Sequence, residues 1–227
     1  MIPRVVLVTD PRYAVEHMAR VIRWAAAALG HGRLMVQLRD KAGADTDVSA
    51  VAFALRAVTR EARAVFVIND RTALACSVGA DGVHLPSITP GTDVSLASRV
   101  AAVRASLGAA ALVTAAVHDD DELRAASGAG ATAAMVSPIF ATPGKAAARG
   151  AAAIVSARAF VDAARRAPSL LVYALGGVDP ERAAECADAG ADGVAVIRAL
   201  FDADGEAGVT AAALALAAPW PGAAERR

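Results

Sequence analysis

Eight short, nearly unbroken apolar runs, each followed by a longer amphipathic stretch, constrain this chain more than any other feature. The runs are Val5–Thr9, Leu34–Leu38, Val65–Ile68, Gly82–His84, Ala111–Ala115, Ala133–Val136, Leu170–Ala174 and Gly193–Val196. They are rich in Val, Leu and Ile without strict alternation, the pattern of parallel strands buried on both faces. Helical periodicity fills the intervals, at 13–29, 48–63, 71–78, 92–106, 119–128, 151–166, 180–189 and 208–217. Eight strand–helix units in 227 residues is the arithmetic of one α/β domain, a (β/α)8 TIM barrel. A doubly wound open sheet is the competing architecture. It usually has fewer strands and a Gly-rich phosphate fingerprint after the first, which "VLVTDPRYAV" lacks.

An internal echo supports repeated αβ units. "GADGVHL" at 79–85 and "GADGVAV" at 190–196 are near copies, and "GATAAMV" at 130–136 is a looser third. Each reads as a helix-capping glycine, a tight turn and an entering strand. No linker interrupts 1–217, which reads as a single barrel domain. The tail 218–227, with "PWPGAAERR" in it, reads as flexible.

Hydrophobic residues make up 56% and aromatics only 4%, so Ala, Val, Leu and Ile build the core. Formal net charge is zero, which argues against nucleic acid or an anionic membrane as a partner. Any anion site must be local. The N-terminus lacks the basic and long apolar regions of a signal peptide, and charged residues or Gly break the Ala-rich runs short of a membrane span. The expectation is a soluble, cytoplasmic protein, with Cys76 and Cys186 as free buried thiols. No Cys/His set has zinc spacing, and no Ser-His-Asp elbow is present.

In a barrel, chemistry gathers where the strands end. The first strand ends in Thr9 and Asp10, the second carries Gln37, Arg39 and Lys41, and the third ends in Asn69 and Asp70. The fourth ends at His84, the fifth leads to His118, and the sixth reaches Ser137 and the loop "SPIFATPGKAAARG". The seventh ends in Gly176–Gly177 and the eighth near Ile197 and Arg198. Arg39, Lys41 and Lys145 are cations, and Gln37 and Asn69 are neutral donors; the set suits a phosphate or diphosphate. Asp70 in the same place makes sense with a Mg²⁺ between it and phosphate oxygens. Gly176, Gly177 and Gly193 would expose backbone N–H groups to a second phosphate. The loop with Thr142, Pro143, Gly144 and Lys145 could close over the ligand.

Taken singly, each residue has a plain structural reading. Arg39-Asp40-Lys41 is equally a solvated loop start, "ND" a turn, and His84 a satisfied buried histidine. His118 is equally a neighbour of the helix cap Asp119. Asp40, out of phase with Gln37, Arg39 and Lys41, is expected to point away from the mouth. Co-location is what favours the functional reading.

The motifs "QLRDK", "VINDR", "GADGVHL", "SPIFATPGK" and "ALGGVDPERAAECADAGADGVAV" resemble, in order and spacing, those of the thiamine phosphate synthase and TenI family, from the first strand to about residue 201. The resemblance implies a TIM barrel in thiamine biosynthesis. The synthase condenses hydroxymethylpyrimidine diphosphate with thiazole phosphate, giving thiamine phosphate and pyrophosphate. By matching motif, Gln37, Arg39 and Lys41 would hold the diphosphate, Asn69 would assist and Asp70 would bind Mg²⁺. His84 is counted with the substrate-binding residues, Thr142 and Lys145 would come from the closing loop, and Gly177 with Gly193–Ile197 would take the thiazole phosphate.

The chain departs from the synthase pattern in four places. "PSIT" follows "GADGVHL" where Gly-Gln-x-Asp would supply a second metal ligand, and Ala116, Gly144 and Arg198 stand where Ser, Thr and Ser are usual. Asp10 and Asp93 are candidate replacements for that ligand. "HLPS" is similar instead to TenI-type thiazole tautomerases, in which a histidine placed like His118 moves a proton. A non-catalytic binder of thiamine precursors is a third alternative. The intact Gln-x-Arg-x-Lys and Asn-Asp patterns favour a diphosphate substrate and thus the synthase. A homo-oligomer is left open.

Overall fold

The computed structural model describes residues 2–87, 94–141, 148–164 and 170–221. Eight parallel strands close into a barrel in chain order, β1 pairing with both β2 and β8. They are β1 Val5–Val8, β2 Leu34–Leu38, β3 Val65–Asn69, β4 Gly82–Leu85, β5 Leu112–Val117, β6 Ala133–Val136, β7 Leu171–Leu175 and β8 Gly193–Val196. The helices are α1 Val15–Leu29, α2 Asp45–Glu61, α3 Thr72–Val78, α4 Leu96–Leu107, α5 Asp120–Gly128, α6 Ala151–Ala164, α7 Ala183–Asp188, α8 Arg198–Phe201 and α9 Gly205–Ala217. The open sheet is excluded.

The lack of alternation in the strands has its cause here. Outward side chains such as Leu7, Val36 and Ile68 join the helices in one large core, while Val6, Val8, Met35, Val67, Met135, Tyr173 and Ala195 fill the interior as a second cluster. Both faces are dry, so both are apolar. Tyr173 is fully buried and its hydroxyl donates to Pro3 O at 2.7 Å, which satisfies the polar tip.

The echoed joints solve one construction problem three times. Gly79, Gly130 and Gly190 take positive φ of 63°, 73° and 98° and turn the chain out of the preceding helix. Two residues later, Asp81 Oδ2 accepts from Phe66 N at 2.8 Å and Asp192 Oδ2 from Val172 N at 2.8 Å. Thr132 does the same in the divergent copy, its Oγ1 accepting from Val113 N at 3.1 Å. Each acidic copy also binds an arginine from a helix, Arg56 for Asp81 and Arg158 for Asp192. The joint thus anchors the start of the preceding strand and of its own.

Several boundaries move. β5 starts one residue late and runs to Val117, two residues further than expected, which carries His118 to the mouth. α4 starts at Leu96, capped by Ser95, whose Oγ accepts from Ser98 N at 3.1 Å. α7 starts only at Ala183, and the one-turn helix α8 was not foreseen. Cys186 is buried, but Cys76 is exposed, because α3 packs through Ala75 and Val78 and turns Cys76 outward. Trp220, within the segment expected to be flexible, is instead buried and donates from Nε1 to Ala191 O at 2.7 Å; residues 222–227 lie outside the described residues. Among the described residues no helix is long and apolar enough to cross a membrane.

Candidate active site

A polar layer caps the apolar interior where β2 to β5 end. Asn69 is in register with His84, and His84 with Thr114. All three are buried, as is Gln37, which keeps 2% of its surface exposed. Gln37 Nε2 donates to Asn69 Oδ1 at 3.3 Å, while Gln37 Oε1 is buried with no partner among the described residues. A buried amide oxygen left unpaired costs about 1–3 kcal/mol, so it marks a place where a donor from a ligand is expected.

His84 Nδ1 lies 2.9 Å from Thr114 Oγ1. Burial, reinforced by Arg39, Arg99, Lys41 and His118, pushes its pKa down to about 3. It is a neutral imidazole at neutral pH and cannot serve there as a proton donor from the imidazolium state. Arg39 is half-buried, and its backbone N donates to Thr9 Oγ1 at 2.9 Å. Lys41 is exposed at the rim. No side-chain hydrogen bond or ion pair holds either cation among the described residues. Asp40 turns away as expected: its Oδ1 accepts from Ala42 N and Gly43 N at 3.0 and 2.8 Å.

Asp70 sits at φ 65°, its N–H donating to His84 O at 2.9 Å. Its carboxylate is half exposed and accepts from Arg99 Nη2 at 2.9 Å. Asp10 is not free to replace a missing metal ligand. Both its oxygens are taken by Arg12, with Nε at 3.0 and 3.1 Å and Nη2 at 2.7 Å, and these bonds hold the carboxyl below its usual range. Asp93 lies outside the described residues. No cluster of three or more His, Cys, Asp or Glu side chains occurs among the described residues. What Asp70 offers a Mg²⁺ is a single carboxylate with one oxygen that no described residue takes. That fits Mg²⁺ only where substrate oxygens and water complete the octahedron.

His118 follows β5 directly. Its backbone N and its Nδ1 both meet Glu122 Oε2, at 2.5 and 3.0 Å, and Ser87 Oγ lies 2.8 Å from Nδ1. Asp119 caps α5 as foreseen, accepting from Glu122 N at 2.8 Å. Thr142 and Lys145 lie outside the described residues. The segments on either side of them are pinned: Phe140 N donates to Gly176 O, Arg149 N to Pro138 O and Gly150 N to Ile139 O, each at 2.9 Å.

A second concavity of about 460 Å³ opens where β7 and β8 end. Gly177 and Ile197 line it. Gly177 is required to be small and left-handed: at φ 65°, a Cβ would come within 2.8 Å of Phe140 Cβ and 2.9 Å of Ala141 O. The concavity also holds Arg12, Arg182 and Arg198. Arg182 is steadied by Gly177 O at 2.7 Å and lies over the Phe140 ring at 4.8 Å. Gly193 does not belong to either site. It is the first residue of β8, at the far end of the barrel from the mouth, where a Cβ would lie 2.5 Å from Arg4 O and 2.7 Å from the Tyr173 ring. Its smallness serves packing.

Sequence reasoning missed Arg12, Arg182, Thr114, Ser87, Glu122 and Arg99. Arg12 was legible as the third residue of the "DPR" turn directly after a strand end. Arg99 was not, because it reaches the mouth from a helix.

Comparison with known proteins identifies the family to which the chain belongs. The family model described as "Thiamine monophosphate synthase" matches residues 5–200. A thiamine-phosphate synthase of Chromobacterium violaceum is 40% identical over 206 residues, covering 90% of this chain and 91% of that protein. One from Natronomonas pharaonis is 40% identical over 178 residues, covering 78% of each. Among solved structures, the thiamine phosphate pyrophosphorylase of Pyrococcus furiosus superposes with a TM-score of 0.72 at 24% identity, covering 95% of this chain and 94% of that one. That likeness speaks to the fold.

Proposed function

From the membership of this chain in the thiamine monophosphate synthase family, a transferase family of thiamine biosynthesis, we propose how its residues carry out the condensation. The observation that carries the reading is the buried, unpartnered Gln37 Oε1 beside Asn69, overlooked by two cations that no described partner neutralises. That combination suits a polar, strongly anionic ligand, and a pyrimidine diphosphate is one.

Gln37, Arg39, Lys41 and Asn69 grip the diphosphate, and His84, neutral and buried, contributes a hydrogen-bonding edge without adding charge. Mg²⁺, when bound, neutralises diphosphate oxygens and would be held by Asp70. As the C–O bond between the pyrimidine methylene and the diphosphate breaks, its electron pair leaves on pyrophosphate. The grip is strongest on that developing charge, which is where electrostatic catalysis acts. The thiazole nitrogen lone pair then forms the new C–N bond. The thiazole phosphate sits in the arginine-lined concavity, its phosphate facing Gly177, Ile197 and the guanidinium groups of Arg12, Arg182 and Arg198.

The test mixes the purified protein with hydroxymethylpyrimidine diphosphate, thiazole phosphate and Mg²⁺. Thiamine phosphate forms, and its formation is lost in Asp70→Ala. No thiamine phosphate, together with isomerisation of the non-aromatic thiazole tautomer that His118→Ala abolishes, would replace this reading with the tautomerase one. His118, fixed at Nδ1 by Glu122 and Ser87, is the residue that comparison isolates.

A further inference from the structure

Arg99 belongs to α4, yet its guanidinium reaches the mouth and bridges two loops. Nη1 donates to Pro86 O at 2.8 Å, and Nη2 donates to Asp70 Oδ1 at 2.9 Å. The arginine side chain keeps 18% of its surface exposed and the Asp70 side chain 56%, so the guanidinium is largely covered and the carboxylate faces outward. The same guanidinium helps to depress His84 at the centre of the polar layer, behind burial and Arg39. The Asp70 backbone is held at φ 65° with its N–H bonded to His84 O.

The charge count follows. Asp70 and Arg99 together are neutral. A divalent cation approaching the free protein therefore meets a carboxylate that already has a counter-ion. With a diphosphate present the balance reverses, because its oxygens attract both the metal and the guanidinium.

We propose that Arg99 is a resident counter-cation for Asp70: it competes with the divalent cation for that carboxylate in the free protein and transfers a guanidinium edge to the diphosphate on binding, so that metal and diphosphate enter together. Arg99 thus acts as a positioning residue on Asp70 and as a ligand of the anion. The inference rests on the reading that the mouth takes a diphosphate.

The experiment uses Mn²⁺ alone as probe, titrated against the full chain and followed by the electron paramagnetic resonance signal of the free ion, with no organic substrate. Arg99→Gln keeps an N–H donor for Pro86 O and removes the charge. Removing one positive charge about 5 Å from a divalent ion tightens its binding on the order of tenfold, even with water-like screening. R99Q is therefore expected to bind Mn²⁺ on the order of tenfold more tightly than wild type, and the gain disappears in R99Q/D70N. Inorganic pyrophosphate, titrated without metal by calorimetry, binds R99Q more weakly than wild type. These opposite signs separate the proposal from a merely structural role, which would weaken both or neither. R99M, which removes the charge and keeps an unbranched stem, serves if R99Q does not fold; it too binds Mn²⁺ more tightly than wild type. Mn²⁺ affinity that is unchanged or weaker in a folded R99Q or R99M, or a gain that survives D70N, overturns the proposal. Failure of wild type to make thiamine phosphate would sink the reaction reading and leave the Mn²⁺ comparison standing.

Discussion

Acidification should destabilise this barrel through one identifiable residue. His84 is enclosed by β3 to β5, bonded to Thr114 and surrounded by Arg39, Arg99, Lys41 and His118, so its pKa falls from 6.5 to about 3 in the folded state. The unfolded chain binds a proton at this histidine below about pH 6.5, and the folded chain does not until about pH 3. Between these values the unfolded state carries the extra proton, so stability rises with pH and is lost as pH falls through the window. At pH 5 the unfolded histidine has about 1.5 pH units of protonation in its favour, or about 2 kcal/mol; at pH 8 the contribution is close to zero. The figure at pH 5 depends almost entirely on the unfolded value, so it is insensitive to how far below pH 5 the folded group titrates. Urea unfolding at pH 8 and pH 5, in chelator and without metal, measures it for wild type and His84→Gln. Carboxylates and other histidines contribute equally to both proteins and cancel in the comparison. Wild type should lose about 2 kcal/mol more than H84Q on going from pH 8 to pH 5. Equal losses would mean that His84 is charged in the folded mouth, and the neutral role assigned to it would have to be abandoned.

Four further outcomes follow from named contacts. Gly193→Ala should cost about 2–3 kcal/mol in urea unfolding, because backbone Arg4 O at 2.5 Å and the Tyr173 ring at 2.7 Å leave no room for a methyl group; a near-neutral result would refute the packing role given to this glycine. Asp81→Asn and Asp192→Asn should be destabilising by similar amounts, about 1–2 kcal/mol each after allowance for partial exposure, if the two joints are mechanically equivalent. A thiol reagent should modify Cys76 alone in the native protein and Cys186 only after unfolding, since burial, with the charges of Glu185 and Asp179, raises the Cys186 thiol to about 12. Arg198→Ala should raise KM for the thiazole phosphate roughly three- to tenfold with little change in kcat, as expected for a contact made equally in ground and transition states.

What could be read from the sequence depended on how local the cause was. The strands were legible because burial on both faces suppresses polar residues, and β2, β6 and β8 match their expected limits to the residue. The joints were legible as repeats, but the reason for them was not: Asp81 and Asp192 bind amides fifteen and twenty residues back in the chain. Gln37, Arg39, Asn69 and His84 were found together because strand phase and barrel closure are both regular, so position along a strand predicts position around the mouth. The same rule failed for Gly193, where a repeat glycine at a strand start was placed with glycines at strand ends. It was silent about Arg99 and Glu122, which come from helices, since helix rotation relative to the barrel is set by packing that no local pattern announces. Glu122 is four residues from His118 but belongs to the next element, and only the turn at Asp119 folds it back onto the imidazole.

The arginine-lined concavity and the polar layer at the mouth approach each other where β1 and β2 end, in a chain with no net charge. Counted around the ring, β7, β8 and the β1 exit supply the concavity, and β2 to β4 supply Gln37, Arg39, Lys41, Asn69 and Asp70. Thr9, the residue that follows β1, fixes the backbone of Arg39 through its hydroxyl. Asp10 comes next and clamps Arg12 in a bidentate pair while also feeling the charge of Arg39. Asp10 therefore lies between the two groups of cations, and its carboxylate stays ionised because both pull on it. Its position offsets the mutual repulsion of the two guanidinium groups when no substrate is present. The same logic holds on the other flank, where Asp70 faces Arg99. Each group of cations thus has a carboxylate paired to one of its arginines. The difference between them is that Asp10 is satisfied at both oxygens by its arginine, whereas Asp70 gives one oxygen to Arg99 and no described residue takes the other. That asymmetry is why the proposed exchange of counter-ion is assigned to Asp70 and not to Asp10.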